Sequence, residues 1–293
     1  MNGAVLIDKP SGCTSHDVVN RWRRLASTKR VGHLGTLDPL ATGLLVLVTG
    51  TATRLAQFFG KEDKTYLADI EFGAVSNTYD ADGDIQRTGI TPPDSCDRVL
   101  AELRAFRGVF QQIPPPVSAK KIAGVPAYKL ARKNVAIELK PVEVNVTELE
   151  ALKYEAGRIS LRITCSAGTY IRSLAHDLGQ RLGCGALLRQ LRRTRVGRFH
   201  VDNAYQMDEL ANFAGEGRLL EAVIPSSNLL PEIPGQYVDL LTETQIRQGR
   251  DFRTSPFVVR PGAPIVKAIS QTGELIAIGE LRIPNVYHPS TVL

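Results

Sequence analysis

An uninterrupted aliphatic run, Leu44-Leu45-Val46-Leu47-Val48, limits the possible folds of this chain more than any other feature. A strand with one wetted face alternates apolar and polar residues, so consecutive aliphatics require cover on both faces. The run is also far too short to span a bilayer. It reads as a central strand. Directly before it stands Gly32-His33-Leu34-Gly35-Thr36-Leu37-Asp38-Pro39-Leu40-Ala41-Thr42-Gly43, a glycine-flanked loop that puts Asp38 against rigid core.

Other elements group around that strand. Residues 4–7 read as a short buried strand ended by the turn Asp8-Lys9-Pro10-Ser11-Gly12. A helix follows, with Ser15 as its cap, Asp17 in its first turn, and Val18, Val19, Trp22, Leu25 and Ala26 at helical spacing. Strands are predicted over Tyr66–Phe72 and Arg158–Cys165, and helices over 95–106 and 170–182. Without a regular βαβα rhythm, the fold class is α+β on a mixed, largely antiparallel sheet flanked by helices and loops. Pro225, Pro231 and Pro234 mark a boundary between residues 1–230 and a small β-rich domain over 236–293. Its predicted strands are Phe257–Val259, Ile265–Ile269 and Leu275–Leu281. Residues 113–141, with Pro114-Pro115-Pro116 and six lysines and arginines against Glu138, look like an inserted basic arm.

The charge of +6 favours an anionic partner, and its distribution says more than its total. No acid interrupts the stretch holding Arg21, Arg23, Arg24, Lys29 and Arg30, nor the one holding Arg181, Arg189, Arg192, Arg193, Arg195 and Arg198. Either run alone reads equally well as a solvated helix face; together they favour a phosphate-binding surface. Cys13, Cys96, Cys165 and Cys184 have no metal-ligand spacing, and reduced thiols in the cytoplasm are expected. No basic leader precedes an apolar stretch, so no membrane association is expected.

Phosphate-loop, zinc-protease and dinucleotide motifs are absent from the sequence. Alone, Asp38-Pro39 is a turn initiator and its aspartate structural. The surrounding motifs alter that weighing. Asp8 to Ser15, Gly32 to Gly43, Lys64-Thr65-Tyr66, Thr78-Tyr79-Asp80-Ala81-Asp82-Gly83 and Gly168-Thr169-Tyr170-Ile171-Arg172-Ser173-Leu174 together resemble, in order and spacing, the TruB-type tRNA pseudouridine-55 synthases. Pro115 to Arg132 resembles that family's RNA-gripping insertion, with Val117 and Asn134 departing from its pattern, and residues 236–293 are similar to a PUA RNA-binding domain.

The resemblance implies isomerisation of a uridine in the T loop of tRNA, with Asp38 as the essential carboxylate. It implies Arg172 as the cation that keeps Asp38 charged, Asp80 as a further member of that network, and Tyr66 as the base-stacking tyrosine whose phenol helps remove the C5 proton. His33 is assigned to RNA binding, Tyr170 and Leu191 to the uracil pocket, and Lys9 and Pro10 to support of the loop. Moving C1′ from N1 to C5 of uracil needs no redox agent or metal; no cofactor, no obligate protein partner and a monomer are expected. Breaking the bond builds positive character at the sugar, which a carboxylate can stabilise, capture, or relieve by removing a neighbouring proton. Three other readings compete: a non-catalytic tRNA-binding protein, a guide-RNA-dependent synthase subunit, and a hydrolytic glycosidase with Asp80 as second carboxylate.

Overall fold

The computed structural model describes residues 1–117, 121–122, 125–126, 139–155, 157–260 and 262–293. Along the chain run β1 (Gly3–Lys9), α1 (Ser15–Leu25), β2 (Val31–His33), β3 (Thr42–Thr49), β4 (Lys64–Phe72), the hairpin β5 (Ala74–Ser76) and β6 (Ile85–Arg87), α2 (Cys96–Leu103) and β7 (Gly108–Gln112). The hairpin β8 (Lys121–Ile122) and β9 (Val125–Pro126), β10 (Val142–Glu155), β11 (Arg158–Cys165), α3 (Ile171–Leu182), β12 (Ala186–Val196), β13 (Phe199–His200), α4 (Met207–Gly215) and β14 (Ile224–Pro225) follow. Last come β15 (Gly235–Tyr237), α5 (Leu240–Arg247), β16 (Phe252–Arg253), β17 (Ile265–Ile269), β18 (Leu275–Ile283) and β19 (Val286–Val292).

A ten-stranded sheet has the order β14-β1-β3-β12-β4-β11-β10-β7, with β2 added to β3 and β13 to β12. Among the described residues, only β3 and β12 of this sheet pair in parallel, through Thr42 with Arg192 and Gly43 with Arg193; its other strand pairings are antiparallel. The aliphatic run is central β3 and is buried on both faces. Leu45 and Leu47 belong to one buried cluster with Val18, Val19 and Trp22 of α1 and the apolar side of α3, whereas Leu44, Val46 and Val48 belong to another with Leu55, Phe59, Leu229 and Leu230. Each such leucine contributes roughly 1.5–3 kcal/mol by leaving water. Both sides of the sheet therefore fix the strand that follows Asp38.

The parallel contact depends on Gly43. Its φ is +96°, and a Cβ there would stand 2.2 Å from the Arg193 carbonyl oxygen. Only glycine lets β12 approach the end of the Asp38 loop.

Thr14, rather than Ser15, caps α1. The Thr14 hydroxyl accepts from the Asp17 amide at 3.1 Å, and the Asp17 carboxylate accepts from the Thr14 amide at 2.9 Å. Ser15 is turned inward instead, donating to the Leu37 carbonyl and accepting from the Leu37 amide. Most of the second basic run is a strand rather than a helix face: Arg189, Arg192, Arg193 and Arg195 lie on β12, and Arg181 on α3.

A five-stranded sheet, β15-β17-β18-β19-β16, forms the C-terminal part. It packs on the large sheet through Ile269, Leu275, Ile278 and Leu293, which join the cluster containing Leu6 and Val48. Phe257–Val259 forms a turn rather than a strand, with amides of Val258 and Val259 on the Ser255 carbonyl and Phe257 98% exposed. Helix α5, started by the Asp239 carboxylate on the Thr242 amide, and strand β19 were not legible in the sequence pattern. Most of the basic arm, including Asn134, lies outside the described residues.

Candidate active site

A cavity of about 510 Å³ opens where the Asp38 loop, β4, β12 and the start of α3 converge. Its walls include His33, Asp38, Tyr66, Tyr170, Arg172 and Leu191. Six of the residues singled out in the sequence thus share one cavity. Asp80 and Lys9 lie behind its wall.

Arg172 occupies the second position of α3, and its buried guanidinium reaches four groups. Nε meets the Asp38 carboxylate at 3.0 Å and Nη1 the Asp80 carboxylate at 3.4 Å. Nη1 also donates to the Thr78 carbonyl at 3.0 Å, and Nη2 to the Val117 carbonyl at 2.9 Å. The contact at Val117 is to backbone, so it does not depend on which side chain stands there. Asp80 accepts from the Thr78 hydroxyl and the Asp82 amide through its other oxygen. One planar cation therefore locks two carboxylates and two chain segments in a fixed geometry.

The Asp38 side chain keeps 40% of its surface open to the cavity, while protein encloses it on its remaining sides. This desolvation raises its pKa above the ordinary carboxylate value. Arg172 opposes the rise; Asp80 and Asp82 reinforce it. Arg172 is thus the counter-charge that lets a largely enclosed carboxylate ionise.

Tyr66 is buried on β4 opposite Arg193 of β12. Burial pushes its phenol above its usual pKa, and the Arg193 guanidinium pulls the other way. The ring is therefore a neutral phenol at pH 7, and Arg193 is the group that would favour loss of its proton. Half-buried His33 has its pKa lowered, first by burial and then by Arg193 and His16, so its imidazole is neutral at pH 7. Tyr170 immediately precedes α3, its backbone amide and carbonyl both held by the side-chain amide of buried Gln112, at 2.8 and 3.0 Å. Leu191 closes the apolar side of the cavity.

Arg193 is the residue the sequence reading missed. It is 1% exposed and lines the cavity. Nε donates to the Leu44 carbonyl at 2.8 Å, Nη2 to that of Gly35 at 3.0 Å and Nη1 to that of Thr36 at 3.3 Å. It clamps the Asp38 loop from β12. Lys9 does so from β1, its buried Nζ donating to the Pro10, Cys13 and Pro39 carbonyls. The neighbouring arginines of the run are tied down elsewhere: Arg192 forks onto Asp8 and Arg189 faces Glu71. Lys64 joins the cavity wall beside Arg193, its pKa lowered by burial and then by Arg193.

A family model described as TruB family pseudouridylate synthase (N terminal domain) matches residues 23–171, and one described as tRNA pseudouridylate synthase B C-terminal domain matches 172–230. The tRNA pseudouridine synthase B of Solibacter usitatus is 50% identical over 293 residues, covering all of both chains. The chain belongs to the TruB family of pseudouridylate synthases. The tRNA pseudouridine synthase B of Aquifex aeolicus is 39% identical over 284 residues and 96% of each chain. Among solved structures, an H/ACA ribonucleoprotein bound to a substrate RNA containing 2′-deoxyuridine aligns with TM-score 0.70 and 23% identity, over 99% of this chain and 84% of that one. That likeness concerns the fold, which this TruB-family chain shares with its ten-stranded sheet and smaller C-terminal sheet.

Proposed function

We propose that the protein isomerises a uridine of the tRNA T loop, position 55, to pseudouridine, with Asp38 as the essential carboxylate. The observation that carries this reading is the pairing of Asp38 with Arg172 Nε at 3.0 Å on a cavity wall that also presents the Tyr66 ring. The relatives named tRNA pseudouridine synthase B support tRNA as the substrate.

In this reaction the N1–C1′ bond breaks, the uracil turns within the pocket, and a C5–C1′ bond forms. The C5 proton leaves and N1 gains one, so the product is an isomer of the substrate. Asp38 meets the positive character that develops at C1′, and Arg172 keeps it ionised for that purpose. A flipped uridine stacks on Tyr66, with Tyr170 and Leu191 enclosing the base and excluding water that would otherwise capture C1′. His33 contacts the remodelled loop as a neutral side chain. Residues 236–293, through their PUA-like sheet, and the basic arm at about 113–141 extend the RNA contact from the catalytic portion, residues 1–230. The chain acts in the cytoplasm as a monomer, without an obligate protein partner.

A hydrolytic glycosidase would need a second carboxylate facing the bond with room for water. Asp80 is 3% exposed, lies outside the cavity wall, and is engaged by Arg172, Thr78 and Asp82, which argues against that role. The test is tritium release from a T stem-loop labelled at uracil C5, using the purified chain alone. Parent protein releases tritium without free uracil and Asp38→Ala does not; release by Asp38→Ala would overturn the proposal.

A further inference from the structure

Outside the cavity, the rings of Tyr79 and His176 lie face to face, with centroids 3.8 Å apart and planes inclined by 7°. They belong to different parts of the chain: Tyr79 to the loop after β5, His176 to α3. Tyr79 also has a φ of +65°, a left-handed conformation that a bulky residue rarely adopts without compensation. The two oddities coincide at the residue between the two loop groups that Arg172 holds.

The helix explains the coincidence. Arg172 and His176 are four residues apart on α3, so their side chains share one helix face. Arg172 takes the Thr78 carbonyl and the Asp80 carboxylate; His176 takes the ring of the residue between them. The left-handed turn at Tyr79 reverses the chain so that a carbonyl before it and a carboxylate after it reach the same guanidinium. Backbone bonds set the height of the loop, with the Leu188 amide on the Tyr79 carbonyl and the Ala81 amide on the Leu188 carbonyl, both at 3.0 Å. Those bonds tie the loop to β12. The ring stack is what ties it to α3 beside Arg172.

We infer that the Tyr79–His176 stack is a positioning device for the reaction: it holds the loop in the left-handed turn that presents Thr78 and Asp80 to Arg172, and through Arg172 it fixes the orientation of Asp38. Neither ring touches the cavity, so both are positioning residues rather than catalytic ones. The inference rests on the reading of Asp38 given above. It goes beyond that reading by assigning function to a pair of residues remote from the substrate.

The test uses full-length protein and a T stem-loop labelled at uracil C5, with kcat from tritium release and Kd from filter binding. His176→Ala removes the stack from a half-buried site, and kcat is expected to fall about five- to tenfold with Kd within about twofold of the parent. His176→Phe keeps a flat ring and restores kcat to within about twofold. Tyr79→Gly relieves the left-handed turn but loses the ring, and should match His176→Ala. The double variant Tyr79→Gly/His176→Ala should be no slower than either single one, because both remove one interaction. Parental kcat in folded His176→Ala overturns the inference. So does a His176→Phe protein as slow as His176→Ala, or a Kd that weakens in step with kcat. Asp38→Ala runs alongside: inactive Asp38→Ala with full-speed His176→Ala defeats this inference alone, while active Asp38→Ala defeats both.

Discussion

Replacing Arg172 with lysine separates charge from geometry at the centre of the site. The positive charge survives, and at an effective dielectric of about 20 a unit charge roughly 4 Å from a carboxylate is worth about 4 kcal/mol whichever side chain carries it. The fork does not survive. Guanidinium nitrogens reach Asp38, Asp80, Thr78 and Val117 from different edges of one plane, whereas an ammonium donates from a single point. Loss of two hydrogen bonds involving charge, at about 1.5–3 kcal/mol each, offset by what the ammonium regains, leaves a net deficit of about 3 kcal/mol. If that deficit falls on the transition state, kcat drops by roughly a hundredfold. Affinity for RNA should change by less than about threefold, since the guanidinium is nearly inaccessible and its partners are protein groups. Single-turnover tritium release and filter binding on the same stem-loop measure both quantities. A parallel fall in rate and affinity, or a rate within about threefold of the parent, would refute the geometric argument.

Other perturbations probe the same framework. Asp38→Asn should abolish tritium release by more than about 10³-fold while leaving Kd close to the parent's, checked by the same two assays. The folded protein binds the Asp38 proton more tightly than the unfolded chain does, so ionising Asp38 erodes stability as pH rises from the ordinary carboxylate value through the folded one. Asp38→Asn should accordingly be more stable than the parent in urea at pH 7 and lose that advantage below the unfolded value of 3.8; an unchanged or reversed difference sinks the electrostatic account. Gly43→Ala forces a Cβ onto the Arg193 carbonyl and a left-handed backbone, and should cost at least about 3 kcal/mol in urea unfolding. Arg193→Met strips donors from the Gly35, Thr36 and Leu44 carbonyls; at about 1–3 kcal/mol for each one left unsatisfied, a loss of about 3–9 kcal/mol is expected in the same assay, with a slower reaction in the protein that remains folded.

What the sequence disclosed follows from which physical signals are local. Leu44 to Val48 was legible because burial on both faces leaves no polar residue in the run, and β11 because burial on one face imposes alternation. Arg193 was hidden among solvated-looking arginines for a specific reason. Strand β12 carries register shifts between Leu188 and Gln190 and again between Arg193 and Arg195, and each one reverses the parity by which a buried position would be recognised. Helix α5 was hidden because only Ile246 is buried while Leu240 and Leu241 face solvent, so no apolar stripe marks it. The cap of α1 passed from Ser15 to Thr14 because a tertiary partner, Leu37, claims the Ser15 hydroxyl. The Tyr79–His176 pairing joins segments remote in sequence, and no local pattern encodes it.

The backbone beneath Asp38 shows where rigidity of the site originates. From Gly35 to Pro39 each carbonyl has a donor: Arg193 for Gly35 and Thr36, Ser15 for Leu37, the Ala41 amide for Asp38, and the Gly12 amide with Lys9 for Pro39. The donors come from β12, α1, the loop itself and the end of β1, so no single element can shift without breaking bonds to the others. A loop satisfied in this way has little to gain from rearranging when RNA arrives. The conformational cost of binding then falls on the RNA, which must unstack and extrude a uridine at a few kcal/mol. On the proposed reading, Tyr66, Tyr170 and Leu191, which line the cavity, would recover part of that cost by enclosing the base. The carboxylate and guanidinium need only remain where the fold has already put them.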